Sequence, residues 1–204
     1  MKILTEKEAE DFLEKEGFEI IARSVAKSKK QLEITAETIK FPWAMKIISK
    51  KIIHKRAAGG VILDISNIEQ AESALNVLSE LEGYERAIIQ PMISGSELIL
   101  GLKKTPEFGL AIMIGKGGSD VEKEKDISFR VLPITQRDAK EMLSELKFYK
   151  SLKKSDADLV LIEKNIMQLS DLAKKFSKIE ELDINPLIIN GKSALIVDAR
   201  IVFS

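Results

Sequence analysis

The C-terminal part of the sequence carries the pattern that most restricts the fold. Two apolar segments, Leu182 to Ile189 and Ala194 to Val202, flank the dipeptide Asn190-Gly191. Asn-Gly between two strand-like segments is a strong signal for a two-residue type I′ turn, because both turn residues must adopt positive φ. The sequence therefore predicts an antiparallel β-hairpin at this end of the chain, and a hairpin determines which residues face each other.

Three oxygen-bearing side chains lie on this predicted hairpin. Asp183 and Asn185 are two residues apart, so in a strand they share one face, and pairing across the turn brings Asp198 near Asn185. Carboxylate and amide oxygens that converge in this way suit Mg²⁺, which prefers hard oxygen ligands. The alternative is an exposed polar face on an edge hairpin. The Asn185-Pro186 step argues mildly against that alternative, because proline interrupts a strand ladder.

The rest of the sequence alternates between helical and strand patterns. Helix starts are indicated by capping residues: Thr5 with Glu8, Ser28 with Gln31, Asn67, Thr135, and a region near Asp156. Strands are indicated for 19–25, 43–48, 61–65, 87–93, 97–102, 110–114 and 129–134. This mixture predicts an α+β fold with two mixed lobes. Residues 1–88 are expected to form an N-terminal helix and the first lobe, and residues 89–204 the second lobe with the C-terminal hairpin.

Composition argues against several classes of partner. The chain has 32 basic and 32 acidic residues, so its bulk charge favours neither nucleic acid nor a membrane surface. No apolar stretch reaches the roughly 18 residues that a membrane-spanning helix needs. Cysteine is missing altogether, which excludes disulfides and thiolate metal sites and fits the expectation of a cytoplasmic protein.

A lysine and a basic loop in the first lobe are candidates for binding phosphate. Lys46 lies within the apolar strand 43–48, where it points either to solvent or into a cleft. A cationic loop, residues 50–56, follows and ends at Gly59-Gly60. Glycines let backbone N–H groups approach an anion, and cations supply countercharge. A solvated basic turn is the alternative, whereas a nucleic-acid patch is disfavoured because the loop has no interleaved aromatic residues.

His54, the single histidine of the chain, lies in this loop. A lone histidine is usually structural or simply exposed. Neighbouring cations, however, disfavour the imidazolium form and keep the ring neutral. A neutral imidazole is a nucleophile toward phosphorus, and the same cations would stabilise the phosphohistidine that forms. His54 is therefore a candidate phosphoryl carrier.

Several short strings occur in one order along nearly the whole chain. They are Met45-Lys46-Ile47, Ile53-His54-Lys55 with Gly59-Gly60-Val61, Ile89-Gln90-Pro91-Met92-Ile93 with Gly95 and Glu97, Gly101, Phe108-Gly109, Ile112-Met113-Ile114-Gly115 with Gly117-Gly118, Arg130 with Pro133, Leu182-Asp183-Ile184-Asn185-Pro186-Leu187, and Val197-Asp198-Ala199-Arg200. Together they resemble the ATP-grasp β subunit, or domain, of ADP-forming acyl-CoA (acetate–CoA) synthetases, which are related to the β subunit of succinyl-CoA synthetase.

The resemblance implies an ATP-grasp fold in which two α/β lobes hold the nucleotide in the cleft between them. It implies Mg²⁺ as cofactor, held by Asn185 and Asp198, and ATP or ADP as substrate. It implies that His54 is a phosphoryl carrier and that Asp183 orients or assists the phosphohistidine. Nucleotide-binding positions are implied for Lys46, Gly59, Gly60, Gln90, Pro91, Met92, Ile93 and Glu97, with residues 90–93 lining the adenine pocket.

The resemblance also implies a reaction and a partner. The reaction is acyl-CoA + ADP + phosphate giving acid + CoA + ATP. A CoA-binding α subunit carries its own phosphohistidine, and two α and two β subunits form a heterotetramer. This chain has Ser49-Lys50-Lys51 where the family usually has Ser-Pro-Asp, and Arg56-Ala57 where it usually has Ser-Asp, so its loop is more cationic. A non-catalytic ATP-binding regulatory module and a carboxylate–amine ligase of the wider ATP-grasp group are the alternatives.

Overall fold

The computed structural model describes residues 1–52, 55–118 and 126–204. These residues divide into two compact units, of which unit 1 comprises Met1–Ile20 and Ser94–Ser204 and unit 2 comprises Ile21–Ile93. The sequence patterns predict that the N-terminal helix belongs with the first lobe. In the structure that helix belongs to unit 1, because its apolar residues Ala9 and Leu13 join the core of that unit.

Helices and strands alternate along the described chain much as the patterns predict. The helices are α1 (Glu6–Lys15), α2 (Lys29–Thr38), α3 (Ile68–Ser79), α4 (Gln136–Ser144), α5 (Tyr149–Leu152) and α6 (Leu159–Lys175). The strands are β1 (Lys2–Ile3), β2 (Ser24–Ala26), β3 (Trp43–Ile48), β4 (Val61–Ile65), β5 (Arg86–Pro91), β6 (Ser96–Thr105), β7 (Gly109–Lys116), β8 (Ile127–Val131), β9 (Ile179–Asn190), β10 (Ser193–Ile196) and β11 (Ala199–Phe203).

Unit 2 is an antiparallel sheet with two helices. Over its described residues the strand order is β2-β5-β3-β4. Alternate residues of β3, namely Trp43, Met45 and Ile47, join the core with apolar residues of α2 and α3. The Trp43 indole N–H donates to the Ile39 carbonyl at 3.0 Å, so its buried polar atom has an acceptor. Because side chains alternate along a strand, Lys46 lies on the opposite face of the sheet.

Unit 1 is built on a larger antiparallel sheet. Across its described residues the order is β1-β11-β9-β6-β7-β8, with β10 also paired to β9. One face of the sheet packs on α1, α4 and α6 in a continuous apolar core. The sheet residues of that core include Leu98, Leu100, Leu102, Ile112, Ile114, Leu182, Ile184, Leu187, Ile189, Ala199 and Ile201. The alternate residues of these strands therefore occupy the other face.

Local side-chain caps set several of the helix starts. Thr5 forms the predicted capping box with Glu8. Thr135 is the predicted cap of α4 and forms a complete capping box with Asp138. The Asn67 side chain accepts from the Gln70 N–H at the start of α3. Helix α2 begins after Ser28 as predicted, but the Ser28 side chain makes no capping hydrogen bond, and Gln31 instead accepts from the Lys27 N–H at 2.8 Å.

The C-terminal turn differs by one residue from the predicted turn. Asn190 pairs directly with Ser193, which leaves Gly191 and Lys192 as the two loop residues. Gly191 has a φ of +55°, whereas Lys192 is not among the residues with positive φ. A glycine with positive φ at the first loop position is typical of a type II′ turn. The hairpin prediction is therefore confirmed, but the type I′ assignment is wrong.

None of the helices in the described residues has both the length and the apolar character needed to cross a membrane.

An irregular step in unit 2 places an aspartate in the left-handed region. Between β3 and β4 the pairing runs from Trp43 opposite Ile65 to Met45 opposite Ile62, so β4 contains an extra residue. Such a bulge accommodates one unpaired residue on the longer strand. Asp64 takes this place with a φ of +58°, a conformation that costs an L-residue roughly 1–2 kcal/mol and costs glycine almost nothing.

Replacing Asp64 with glycine is therefore expected to stabilise unit 2 by roughly 1 kcal/mol. Thermal unfolding followed by tryptophan fluorescence measures this directly, because Trp43 is the single tryptophan and pairs with Ile65 beside the bulge. Asp64→Ala is the matched control and should be less stable than the parent, since alanine tolerates positive φ less well than aspartate. An alanine variant more stable than the glycine variant would contradict this account.

Candidate functional site

The candidate site in unit 1 is organised by a bulge in the central strand β9. Opposite β6, the pairing runs from Leu98 with Leu187 to Leu100 with Ile184. Asn185 and Pro186 on β9 therefore share the space of one residue on β6. Proline lacks an N–H for the ladder, so a bulge is a position where it is tolerated in a central strand. The interruption that the sequence indicated at Asn185-Pro186 thus has a structural basis.

The other side of β9 brings the predicted oxygen ligands together. The Asn185 N–H donates to the Asp198 carbonyl at 3.1 Å, and the Val197 N–H donates to the Pro186 carbonyl at 3.1 Å. The predicted proximity of Asn185 and Asp198 is therefore present at the level of the backbone. Asp183, two residues earlier, pairs directly with Arg200 on β11.

Asp183 and Glu181 of β9 face away from the core. Leu182 and Ile184 belong to the apolar cluster under the helices, so the intervening Asp183 lies on the opposite face. Directly opposed residues of antiparallel strands share a face, which puts Arg200 on that face as well. The same argument places Glu181 there, opposite Lys103 of β6.

The electrostatics of this face are dominated by carboxylates. Burial first, and then the negative charges of Asp198 and Glu181, raise the pKa of Asp183 to about 6, while Arg200 opposes the shift. Carboxylates that repel each other across adjacent strands are stabilised by a bound cation. Mg²⁺ commonly takes one or two protein oxygens and fills its remaining positions with water and phosphate. Asn185 and Asp198 fit this role by ligand type and by position.

No cluster of three or more His, Cys, Asp or Glu side chains placed to hold a metal ion occurs in the residues that the structure describes.

Two cations hold Glu181 beside Asp183. Arg200 Nη1 donates to Glu181 Oε1 at 2.8 Å, and Lys103 Nζ forms a short ion pair with the other Glu181 oxygen. The hydrogen bond from Lys103 is the main reason that the pKa of Glu181 is lowered. Neither Glu181 nor Lys103 is among the site residues predicted from the sequence. The spacing 181, 183, 185 was a usable signal for Glu181, but the partner strand of Lys103 cannot be read from spacing.

Lys46 and Gln90 lie on one face of the unit 2 sheet. Lys46 pairs with Ile88 and with Val61, and Gln90 pairs with Ala44, so both side chains lie on the face opposite α2 and α3. Lys46 is only 5% exposed and Gln90 is fully buried. Lysine is almost never buried without a polar partner, so the interpretation of Lys46 as an outward, solvated residue does not hold.

The segment after Gln90 continues beside β3. Pro91 pairs with Trp43, and the Met92 N–H donates to the Pro42 carbonyl at 2.8 Å. Pro91, Met92 and Ile93 are half-buried. Glu97 belongs to unit 1, where its side chain is exposed and its carbonyl accepts from the Gly117 N–H at 2.8 Å. Their nucleotide-binding roles stay predictions.

Gly59 and Gly60 each have a local structural reason to be glycine. Gly59 has a φ of +70°, and a Cβ on Gly60 would lie 2.5 Å from Ile47 Cγ2. Their N–H groups are engaged within the loop, where Gly60 donates to Lys55 at 2.7 Å and Gly59 donates to Arg56 at 3.2 Å. Phosphate binding by these N–H groups therefore stays a prediction, and it requires the loop to exchange those hydrogen bonds. His54, the predicted carrier, lies outside the described residues.

The raised pKa of Asp183 predicts a pH-dependent stability. The folded carboxyl holds its proton more tightly than the unfolded one, so stability is lost as the pH rises from about 4 to about 6. Asp183→Asn removes this penalty. In metal-free buffer we expect the variant to gain up to about 3 kcal/mol at pH 7.5 over the parent, and nothing at pH 4.

Denaturant unfolding at the two pH values, followed by circular dichroism, measures this difference. Glu181→Gln is the matched control from the same strand face. The pKa of Glu181 is lowered in the folded chain, so its replacement should lose stability at pH 7.5 rather than gain it. If the difference in unfolding free energy between Asp183→Asn and the parent is the same at pH 4 and at pH 7.5, the assignment is contradicted.

Comparison with known proteins places this geometry in a family. The model of the ATP-grasp domain family matches residues 1–203. The beta subunit of ADP-forming acetate–CoA ligase I from Pyrococcus furiosus is 36% identical over 211 residues, covering 98% of this chain and 91% of that protein. The ADP-forming acetate–CoA ligases I and II of Archaeoglobus fulgidus are 34% and 35% identical, but the chain spans only 29% and 30% of their lengths.

Solved structures agree with the sequence relatives. The dinucleotide-forming acetyl-coenzyme A synthetase 1 of Candidatus Korarchaeum cryptofilum, in complex with coenzyme A, Ca-AMPCP and HgCl⁺, matches with a TM-score of 0.89 and 32% identity, covering 100% of this chain and 94% of that chain. A second complex of that protein holds Mg-AMPPCP with its phosphohistidine segment pointing towards the nucleotide-binding site, and matches with a TM-score of 0.84. This chain therefore belongs to the ATP-grasp family, in the group that contains the beta subunit of the Pyrococcus furiosus ADP-forming acetate–CoA ligase I.

Proposed function

We propose that this chain is the nucleotide-binding subunit or domain of an ADP-forming acid–CoA ligase. It transfers a phosphoryl group between a histidine and the nucleotide, in the reaction acyl-CoA + ADP + phosphate giving acid + CoA + ATP. The observation that carries the proposal is the backbone pairing that brings Asn185 beside Asp198, with Asp183 on the same strand. The full-length similarity to a beta subunit of this enzyme class supports it.

Each predicted site residue has a definite task in this proposal. Lys46 neutralises nucleotide phosphates, and residues 90–93 with Glu97 bind the rest of the nucleotide together with the Gly59-Gly60 turn. Asn185 and Asp198 hold the divalent cation, for which Mg²⁺ is the proposed identity. When bound, that cation neutralises phosphate charge, which is the main catalytic requirement of phosphoryl transfer. The buried position of Lys46 supports its task, and the backbone hydrogen bond between Asn185 on β9 and Asp198, just before β11, supports theirs.

His54 acts as the nucleophile in the direction of ATP use. A ring nitrogen of the neutral imidazole forms a bond to the γ-phosphorus with its lone pair. The bond from that phosphorus to the β,γ-bridging oxygen breaks, and its electron pair leaves with ADP. The other ring nitrogen keeps its proton, and the task of Asp183 in this proposal is to orient or assist the phosphohistidine. A carboxyl with a pKa of about 6 is mostly ionised at pH 7, as this task requires.

A separate CoA-binding subunit or domain completes the reaction. The Archaeoglobus ligases contain far more sequence than this chain covers, which supports a division of the whole reaction between two parts. In our proposal the partner forms the acyl phosphate and loads its own histidine, and the complex is a heterotetramer of two α and two β subunits in the cytoplasm. Synthesis of ATP from acyl-CoA, ADP and phosphate should therefore require added partner.

Transfer of radioactive γ-phosphate from Mg-ATP to the chain tests the proposal. The parent should acquire an acid-labile, alkali-stable label, which is typical of phosphohistidine. His54→Ala should abolish the label, because the chain has one histidine, while nucleotide-dependent thermal stabilisation stays nearly unchanged. Lys55→Ala is a control from the same loop that retains the nucleophile and should still be labelled.

Two results would contradict the proposal. A label that persists in His54→Ala would exclude the histidine carrier. Nucleotide-dependent stabilisation of the parent without any label, even with the partner present, would favour a non-catalytic nucleotide-binding module. Activity that needs an amine acceptor and is independent of CoA would favour a carboxylate–amine ligase instead.

A further inference from the structure

The edge strand β8 of unit 1 carries an exposed apolar row. Ile112 and Ile114 of β7 belong to the core, and they pair with Arg130 and Ser128 of β8. Those two residues of β8 therefore lie on the helix side of the sheet. The alternate residues, which face the other way, are Ile127, Phe129 and Val131. Their exposed fractions are 44%, 64% and 45%, so a large part of each side chain is in contact with water.

The backbone groups of the same three residues point away from the sheet. Just outside the two ends of β8, the Asp126 carbonyl accepts from the Lys116 N–H at 3.0 Å, and the Leu132 N–H donates to the Leu110 carbonyl at 2.9 Å. Only alternate residues of an antiparallel strand bond to a given neighbour, so the even-numbered residues of β8 bond to β7. The N–H and carbonyl groups of residues 127, 129 and 131 therefore face the edge, where no further strand lies among the described residues.

Other sheet edges are protected, whereas β8 is not. At the opposite end of the same sheet, β1 is only two residues long, and the edge strand β4 of unit 2 has a bulge with Asp64. Short strands, bulges, charges and prolines prevent an edge from pairing with another molecule. β8 pairs with β7 in continuous register over its five residues and contains neither proline nor lysine. Such an edge is suited to the addition of a strand.

The sequence of β8 is self-complementary about Phe129. When two copies of the strand pair antiparallel around this residue, Phe129 lies opposite its counterpart, and Ile127 lies opposite Val131 of the second copy. The exposed row then forms one aromatic pair with an aliphatic pair on each side. Each of these three pairs exchanges two backbone hydrogen bonds, because all of the residues involved point their N–H and carbonyl groups to the edge.

The charges on the helix side fit the same arrangement. Arg130 of one copy lies opposite Ser128 of the other, and the Ser128 hydroxyl donates to Glu145 Oε2 at 2.5 Å. Arg130 forms an ion pair with Glu145 in its own chain, and its five N–H donors leave capacity for a second carboxylate. Each guanidinium is therefore directed toward an anionic group of the second copy and not toward a like charge.

We propose that β8 is a docking edge for a second copy of this chain. The two strands pair antiparallel about a two-fold axis at Phe129 and join the two unit 1 sheets into one. A pair of this kind closes after two copies, because each edge is used by the other. Main-chain hydrogen bonds supply the affinity, and the Phe129 pair sets the register. The inference concerns assembly and does not depend on the phosphoryl transfer proposed above.

Sedimentation velocity over a dilution series of the full chain measures this association. The parent should be a dimer in equilibrium with monomer. Phe129→Lys should raise the dissociation constant at least about 10²-fold, because it replaces the central aromatic contact with two directly opposed like charges. Phe108→Lys is the matched control, since Phe108 is 70% exposed but lies in the turn between β6 and β7, and its dissociation constant should equal that of the parent. Far-ultraviolet circular dichroism spectra of both variants should match the parent, which shows that they fold.

A single cysteine tests the register of the pairing. The chain has no cysteine, so Phe129→Cys introduces one thiol per copy. Opposed residues of a hydrogen-bonded antiparallel pair have Cα atoms about 5.5 Å apart, a separation that a disulfide can span. Mild oxidation should therefore link Phe129→Cys rapidly into a covalent dimer, and Phe108→Cys far more slowly.

Each of the other outcomes overturns the inference. A parent that is monomeric throughout the dilution series does not use β8 to bind a second copy. A dimer that Phe129→Lys leaves intact forms through another surface, and equal rates of disulfide formation in the two cysteine variants exclude pairing about Phe129. If the parent is monomeric and Phe129→Lys abolishes its binding to the CoA-binding partner, the edge accepts that partner and not a second copy. None of these results changes the expected histidine label, so the proposed function is tested separately.

Discussion

The pairing of β9 with β11 and β6 is the interaction on which the candidate site depends. The bulge in β9 lets Asn185 and Pro186 share one position opposite β6. On the other side of β9, the backbone hydrogen bonds toward Asp198 continue without a break. After the bulge the alternation of side chains changes phase, since Leu182 and Ile184 enter the core before it and Leu187 and Ile189 after it. The strand therefore keeps a continuous apolar face under the helices while it presents Asp183 and Asn185 on the other face.

The charges on that face explain why the arrangement suits a cation and a phosphoryl group. Asp183 is half-buried near the carboxylates of Asp198 and Glu181, and its pKa is raised mainly by that burial and further by their negative charges. Arg200 and Lys103 hold Glu181 in place and supply positive charge next to it. A stable fold gains little from such a cluster by itself, because burying like charges costs free energy. Function is the better explanation for a cost of this kind.

Local interactions are what could be predicted from the sequence. The bounds of β3 and β4 and the caps at Thr5, Asn67 and Thr135 depend on residues within a few positions of each other, so spacing reveals them. The C-terminal turn lies one residue later than predicted, because Asn190 pairs with Ser193 and leaves Gly191 and Lys192 as the loop. Period-two spacing assigned Asp183 and Asn185 to one face. It could not identify Lys103, because the position of that residue depends on which strand lies next to β9.

The most direct test of the central claim is the binding of a spectroscopic cation at Asn185 and Asp198. Mn²⁺ replaces Mg²⁺ at hard oxygen sites, and its electron paramagnetic resonance signal distinguishes free from bound ion. With ADP present, the parent chain should bind Mn²⁺, and Asp198→Ala should lose most of that bound fraction while Asp171→Ala, an exposed carboxylate on α6, retains it. Equal Mn²⁺ binding by the parent and Asp198→Ala would contradict the account.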